Sequence, residues 1–178
     1  GAVSTAGWLP FLDGLPLDQR LTLPNGTRLL GVHASPGQID GKGLRPDYPS
    51  AELQERFEGC DADLICVGHT HWPMNVRIGE MHMVNLGSVS NPLTPDGRAW
   101  YAFWVADEAG FSSRHRRVAY DLAAVFANID AMRHPAGRYI ASFLRGERGT
   151  ELWGLSLPPV EDARIPQDMR SAILIEDE

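Results

Sequence analysis

The chain has 178 residues, 43% of them hydrophobic, with a formal charge of -7 and a pI near 5.3. This length allows one domain with its own core, and the acidic balance argues against an extended nucleic-acid surface, which needs clustered Lys and Arg. The two cysteines are too few for a disulfide framework, and no apolar run approaches the ~20 residues of a membrane span. Composition therefore predicts a cytoplasmic protein with no membrane partner.

The first predicted elements form a hairpin that leads into a histidine. Apolar runs at 21–23 and 28–32 flank residues 24–27 (Pro-Asn-Gly-Thr). An Asn-Gly pair between such runs predicts a tight turn in which both central residues take positive φ. The second strand ends at His33, and a polar, glycine-rich loop then runs to Pro49. Loops of this length in compact domains are often functional.

A helix and a buried strand follow. Ser50 is a candidate N-cap for a short helix that carries Leu53 and Phe57 on one face. The apolar run 64–67 is typical of a buried strand, and a strand–helix–strand order predicts that this strand lies parallel to the one that ends at His33. Asp61 and Asp63 precede the strand, so we interpret them as turn residues at the opposite end of the sheet.

The remainder predicts two hairpins, two helices and a tail. The predicted strands are 74–78, 81–85, 100–105 and 112–119, and the helices run from Asp121 to before Pro135 and over 139–144. The aromatic residues of 100–104 are expected in a sheet core, and His115, among arginines, on a solvated strand face. From residue 149 the sequence is acidic and contains proline, so we divide the chain into a domain at 1–148 and a tail at 149–178.

Residues 64–71 read Leu-Ile-Cys-Val-Gly-His-Thr-His. A strand thus delivers His69 and His71 to its carboxyl end, where open α/β sheets place ligands. On an extended chain these side chains start ~6.5 Å apart on the same side. Both rings could bind one metal, or each could serve one ion of a pair ~3.5–4 Å apart. The alternative is a pair of loop histidines satisfied by hydrogen bonds, because the tripeptide alone is a weak signal.

Three segments occur together in an informative order: residues 32–36 (Val-His-Ala-Ser-Pro), 67–71 (Val-Gly-His-Thr-His) and 85–89 (Asn-Leu-Gly-Ser-Val). In order and spacing they resemble the last motifs of the calcineurin-like metallophosphoesterases, and most of all the small bacterial and archaeal phosphodiesterases of that family. The resemblance implies an α/β fold, the C-terminal half of a four-layer α/β/β/α sandwich. It also implies a hydrolase of phosphodiesters or phosphomonoesters.

The resemblance implies two divalent ions, drawn from Mn, Fe, Ni or Zn, that share a hydroxide able to attack phosphorus. By the same resemblance His33 and His69 would bind one ion and His71 the other. The loop that contains Asn85, Gly87 and Ser88 would lie beside the site as a substrate loop and backbone support. The expected substrate is a small phosphoester or a nucleotide.

The family's earlier motifs, Asp-x-His, Gly-Asp-x-x-Asp and Gly-Asn-His, occur nowhere in the sequence. They supply the carboxylates that neutralise and bridge two ions, so the isolated chain is expected to bind metal weakly and catalyse little. The expected partner is the missing N-terminal half of the fold. Two rival interpretations stay open: a catalytically silent scaffold for protein binding, and a mononuclear zinc protein that uses all three histidines.

Overall fold

The structure, a computed structural model, describes residues 6–92, 97–145, 147 and 169. Its main sheet has five strands in the order β1-β2-β3-β5-β4, and a separate hairpin is formed by β6 and β7. The strands are β1 Asp18–Thr22, β2 Arg28–Val32, β3 Leu64–Val67, β4 Pro73–Ile78, β5 Met81–Leu86, β6 Ala99–Asp107 and β7 Gly110–Val118. The helices are α1 Leu9–Asp13, α2 Ser50–Phe57, α3 Leu122–Ala131 and α4 Gly137–Leu144. The predicted α/β class is confirmed.

Three parallel strands form the centre of the main sheet. β2 pairs in parallel with β3, with Val32 opposite Val67, and β5 pairs in parallel with the other side of β3, with Val67 opposite Asn85. Helix α2 makes the crossover from β2 to β3, as the sequence predicts. Because parallel strands end at the same edge, the residues that follow them meet there. The amide N–H of Gly68 donates to the carbonyl of His33 at 3.0 Å and closes this edge.

The first hairpin forms as expected, but its turn differs from the prediction. Gly26 has a positive φ of 85°, whereas Asn25 does not. The N–H of Gly26 donates to the carbonyl of Leu23 at 2.9 Å, and this bond places Pro24 and Asn25 at the centre of the turn. The proline ring holds φ near -65°, which suits the first central position of a type I turn, so the turn is centred on Pro24 and Asn25 and not on the predicted Asn25 and Gly26.

Helix α2 buries the predicted face. Leu53 and Phe57 are fully buried between this helix and the main sheet. The helix begins one residue earlier than expected: Ser50 is its first residue, and Pro49 occupies the N-cap position without a side-chain hydrogen bond. The prediction of Ser50 as the cap was therefore wrong, because the proline already supplies the extended backbone that precedes the first turn.

Met169 is fully buried in the same core as Leu53 and Phe57. The other residues of the predicted tail at 149–178 lie outside the described part of the chain. At least one residue of that segment thus packs against the domain assigned to 1–148. Within the described residues, we find no helix whose length and apolar character would let it cross a membrane.

The β6–β7 hairpin has two different faces. Trp100 is buried on the face toward β5, while Tyr101 and Phe103 are exposed on the opposite face. The expectation that all aromatic residues of 100–104 lie in a sheet core was wrong, because the face opposite Trp100 has no covering layer among the described residues. Asp121 is the N-cap of the helix that follows, and its carboxylate accepts the N–H of Ala124 at 2.9 Å.

Candidate metal centre

The three predicted metal-binding histidines lie in one region at the carboxyl edge of the parallel strands. The ring centroids of His33 and His69 are 5.2 Å apart, with the planes inclined by 71°. His71 follows two residues later and is close enough to both rings to interact electrostatically with them. The structure therefore brings together side chains that lie 36 and 38 positions apart in the sequence (69 - 33 and 71 - 33).

The backbone at these histidines is not extended. His69 and His71 have φ values of 60° and 61°, in the left-handed region that residues other than glycine rarely adopt. The N–H of Thr70 donates to the carbonyl of Gly68 at 2.7 Å, so His69 occupies the centre of a three-residue turn. The expectation of an extended His-x-His segment was wrong, because β3 ends at Val67. Such strain persists only where surrounding contacts enforce it, and it is concentrated at functional sites.

Two backbone carbonyls fix the orientation of the rings. Nε2 of His69 lies 2.9 Å from the carbonyl oxygen of Gly41, and Nδ1 of His71 lies 3.0 Å from that of Asn91. A carbonyl can only accept, so these nitrogens donate. In the neutral rings, Nδ1 of His69 and Nε2 of His71 therefore keep their lone pairs. Histidines that bind metals are commonly oriented in this way, with the second nitrogen donating to a carbonyl.

The glycine-rich loop of residues 33–49 passes directly over the histidine turn. Gly43 has a φ of 59°, and a Cβ atom at this position would lie 2.8 Å from Cγ2 of Thr70 and 3.3 Å from Cδ2 of His69. Glycine is needed here for both its backbone conformation and its size. Arg56 of α2 holds the same segment by donating to the carbonyl of Gly43 at 2.5 Å.

Asn85 connects the loops of the site from below. It is fully buried, and its amide nitrogen lies 2.9 Å from the Gly68 carbonyl, 3.2 Å from the Leu44 carbonyl and 2.7 Å from Oγ1 of Thr70. The hydroxyl of Thr70 itself donates to the Leu44 carbonyl at 2.6 Å. One side chain thereby joins the end of β5, the histidine turn and the covering loop.

The other two residues of the predicted substrate loop have internal contacts. Gly87 has a φ of 78°, and a Cβ atom there would lie 2.7 Å from Cβ of Trp100, so its close approach is to the second hairpin. Its N–H donates to Oδ1 of Asn85 at 3.0 Å. The hydroxyl of Ser88 accepts the N–H of Asn91 at 3.0 Å. These contacts hold the backbone of the loop in place, and the carbonyl of Asn91 in turn accepts from His71.

The donor set for a metal is partial. Within residues 6–92, 97–145, 147 and 169, no three His, Cys, Asp or Glu side chains are arranged to hold one ion. A mononuclear zinc site on His33, His69 and His71 is therefore not formed among the described residues. The rings of His33 and His69 lie side by side, and no third His, Cys, Asp or Glu joins them in a metal-binding arrangement in the part of the chain that the structure describes.

Asp61 and Asp63 lie at the opposite end of the sheet, as predicted. Arg28 at the start of β2 forms ion pairs with both carboxylates. Its side-chain and backbone hydrogen bonds lower the pKa of Asp63 to about 2. These residues fasten the turn before β3 and take no part in the histidine cluster.

The structure also identifies a polar layer between the two sheets that sequence reasoning missed. Nε2 of His115 donates to the carbonyl of Asn85 at 2.7 Å, and Nε2 of His82 donates to Oδ1 of Asn75. The prediction that His115 lies on a solvated strand face was wrong. Strand alternation could have placed it correctly, because the exposed Arg114 and Arg116 flank it and must point to the other face.

Stability should decrease as the pH falls through the normal range of histidine. Burial is the largest cause that lowers the pKa of His71, His82 and His115 below the usual 6.5. Below pH 6.5 the unfolded chain takes up protons that the folded chain does not, so stability is complete above that pH and is lost below it. For each histidine that stays neutral in the folded chain, the free energy of unfolding can fall by at most about 1.4 kcal/mol per pH unit. Urea unfolding at pH 7.5 and 5.5 tests this, with His82→Gln expected to flatten the dependence; identical midpoints at both pH values would contradict it.

No protein-family model matches the chain, and no curated protein matches its sequence significantly. Its fold is similar to solved structures. The hypothetical protein PH1004 from Pyrococcus horikoshii OT3 matches with a TM-score of 0.67 and 18% identity, over 82% of this chain and 56% of that one. A metallophosphoesterase from Sphaerobacter thermophilus matches with a TM-score of 0.63 and 24% identity, over 80% and 63%. The chain thus spans about three fifths of the length of these proteins, and it has an α/β fold similar to that of a metallophosphoesterase.

Proposed function

We propose that this chain supplies part of a dinuclear metal centre that hydrolyses phosphoesters, with phosphodiesters ahead of monoesters. His33 and His69 would hold one ion and His71 the other. The observation that carries the proposal is the geometry of the rings: His33 and His69 pair at 5.2 Å, while separate carbonyls orient His69 and His71. When bound, such ions polarise a phosphoryl oxygen and lower the pKa of water from ~15.7 to ~7.

The residues of this chain have defined tasks in that centre. The carbonyl of Gly41 holds the His69 ring so that Nδ1 presents its lone pair, and the carbonyl of Asn91 does the same for Nε2 of His71. Burial lowers the pKa of His71, which keeps its ring neutral and able to bind a cation at lower pH. Mn, Fe, Ni or Zn would suit these nitrogen donors together with carboxylates.

The carboxylates would come from the missing N-terminal half of the fold, present upstream or as another chain. Two exposed apolar surfaces support a covering partner. None of the residues of α1 is buried, and Trp8 and Phe11 are each 58% exposed. The outer face of the β6–β7 hairpin likewise exposes Tyr101, Phe103 and Val105. Extended exposed apolar surface of this kind usually marks an interaction site. We also propose a cytoplasmic location, in keeping with the two free thiols.

Titration with Mn²⁺ and Zn²⁺, followed by histidine ring NMR signals, tests the ligand assignment. We expect the signals of His33 and His69 to respond together and that of His71 separately. The exposed His134 is the internal control, and His33→Ala should abolish the response of His69. A joint response of all three rings with one midpoint would overturn the assignment to two ions. No response from any of them at millimolar metal would support the scaffold interpretation.

Hydrolysis of bis(p-nitrophenyl) phosphate and p-nitrophenyl phosphate tests the reaction. With Mn²⁺, the isolated chain should hydrolyse both substrates no faster than buffer that contains Mn²⁺ and no protein. A fusion that adds the part of the Sphaerobacter thermophilus metallophosphoesterase that this chain does not match should hydrolyse the diester faster, and His71→Ala should remove that activity. Full Mn²⁺-dependent activity of the isolated chain would overturn the need for a partner, and a folded, metal-loaded but inactive fusion would overturn the proposed reaction.

A further inference from the structure

His115 lies on the inner face of β7, between the two sheets. Its Nε2 donates to the backbone carbonyl of Asn85 at 2.7 Å, and its Nδ1 is buried with no partner in the described part of the chain. The ring packs edge-to-face against Trp100, with centroids 6.1 Å apart. Among the described residues, the ring of His115 therefore makes a single hydrogen bond, to the carbonyl of Asn85.

Asn85 in turn fixes the histidine turn. Its carbonyl is held by His115, while its side-chain amide donates to the Gly68 carbonyl and to Oγ1 of Thr70. Gly68 and Thr70 flank His69 in sequence. A rotation of the peptide after Asn85 would therefore move the residue that holds both ends of the strained turn.

We propose that His115 is a positioning residue, which orients His69 and His71 through Asn85 without touching either. The backbone at both histidines lies in the left-handed region, which only external contacts maintain. Asn85 provides such contacts at Gly68 and at Thr70, the residue between the two histidines, and His115 anchors Asn85 from the second sheet. The β6–β7 hairpin is thereby coupled to the site, and its role exceeds that of a packing layer.

His82 provides a matched comparison within the same layer. Like His115 it has a buried Nδ1 without a partner in the described chain, and its Nε2 donates to a side-chain oxygen, that of Asn75. Asn75 donates to the hydroxyl of Ser113 on β7, away from the histidine turn. Replacing His82 should therefore disturb inter-sheet packing to a similar degree and leave His69 and His71 in place.

The test uses the full 178-residue chain, with His115→Leu, His115→Phe, His115→Gln and His82→Leu. We expect His115→Leu and His115→Phe to shift the ring NMR signals of His69 and His71 and to weaken their Zn²⁺ response at least fivefold. Glutamine can still donate to the Asn85 carbonyl, so His115→Gln should stay within twofold of the original chain. His82→Leu should lower the urea midpoint but leave both ring signals unchanged.

Two results would overturn the proposal: unchanged His69 and His71 signals in the folded His115→Leu or His115→Phe chain, or equal shifts in His82→Leu. If His115→Leu does not fold, the comparison of His115→Phe with His115→Gln remains: the proposal requires shifted His69 and His71 signals in the first and signals like those of the original chain in the second. The zinc readout rests on the proposed function, whereas the metal-free ring signals do not. If no chain responds to Zn²⁺ but the metal-free ring signals shift as expected, the proposed metal centre is wrong and the positioning role of His115 stands.

Discussion

Replacing Asn85 with leucine should lower the free energy of unfolding by about 3 kcal/mol. The change keeps the volume but removes the amide that donates to the Gly68 carbonyl and to Oγ1 of Thr70, and it leaves the N–H of Gly87 without its acceptor. The unpaired N–H of Gly87 costs about 1–3 kcal/mol and each lost hydrogen bond of the amide about 0.5–1.5 kcal/mol, and relaxation of the loops should recover part of this total. Urea unfolding at pH 7.5 measures the loss.

The exposed Asn128 on α3 provides the control. Asn128→Leu should change stability by less than about 0.5 kcal/mol, because this side chain is exposed on the helix surface and leucine is the better helix former. Asn85→Asp is the second variant: it keeps an acceptor for Gly87 but presents a carboxylate to two carbonyls, so it should be at least as unstable as Asn85→Leu. Similar unfolding midpoints for Asn85→Leu and Asn128→Leu would contradict the assignment of Asn85 as the hub of the site.

Periodicity and turn chemistry were enough to predict most of the fold. The burial of Leu53 and Phe57 follows from their spacing of four residues, and the parallel pairing of β2 with β3 follows from the crossover through α2. These features depend on local patterns and chain connectivity. The same order of elements, with the histidines at strand ends, was enough to bring His33 and His69 together.

The conformation of the site could not be predicted because distant contacts determine it. Nothing local to Gly68-His69-Thr70-His71 indicates positive φ at two histidines; Asn85 and Gly43 enforce it from 14 and 26 residues away (85 - 71 and 69 - 43). His115 was misplaced for another reason. The charge of its neighbours suggests a solvated face, whereas strand alternation decides which face of a strand a residue occupies. The exposure of Tyr101 and Phe103 could not be predicted either, because a local pattern does not show whether another layer covers a given face of a strand.

Replacing Gly43 with alanine should destabilise the chain more than the same change at Gly37, and the difference isolates the contact with the histidine turn. Both glycines have positive φ, 59° and 70°. A Cβ atom at Gly37 would meet nothing within 4 Å, whereas one at Gly43 would lie 2.8 Å from Thr70. Left-handed backbone costs an alanine about 1–2 kcal/mol at either position, and overpacking should add about 1–3 kcal/mol at Gly43.

Thr70 cannot easily move away from a new methyl group, because its hydroxyl is bonded to Leu44 and Asn85. The strain should therefore pass to His69, whose Cδ2 would be the next atom at 3.3 Å. Gly43→Ala should shift the ring signals of His69 and weaken its response to Zn²⁺, and Gly37→Ala should leave both unchanged. Urea unfolding of the two variants and of the original chain gives the energies. Equal destabilisation with an undisturbed His69 would mean that the covering loop can move away from the turn, and that Gly43 serves only the backbone conformation.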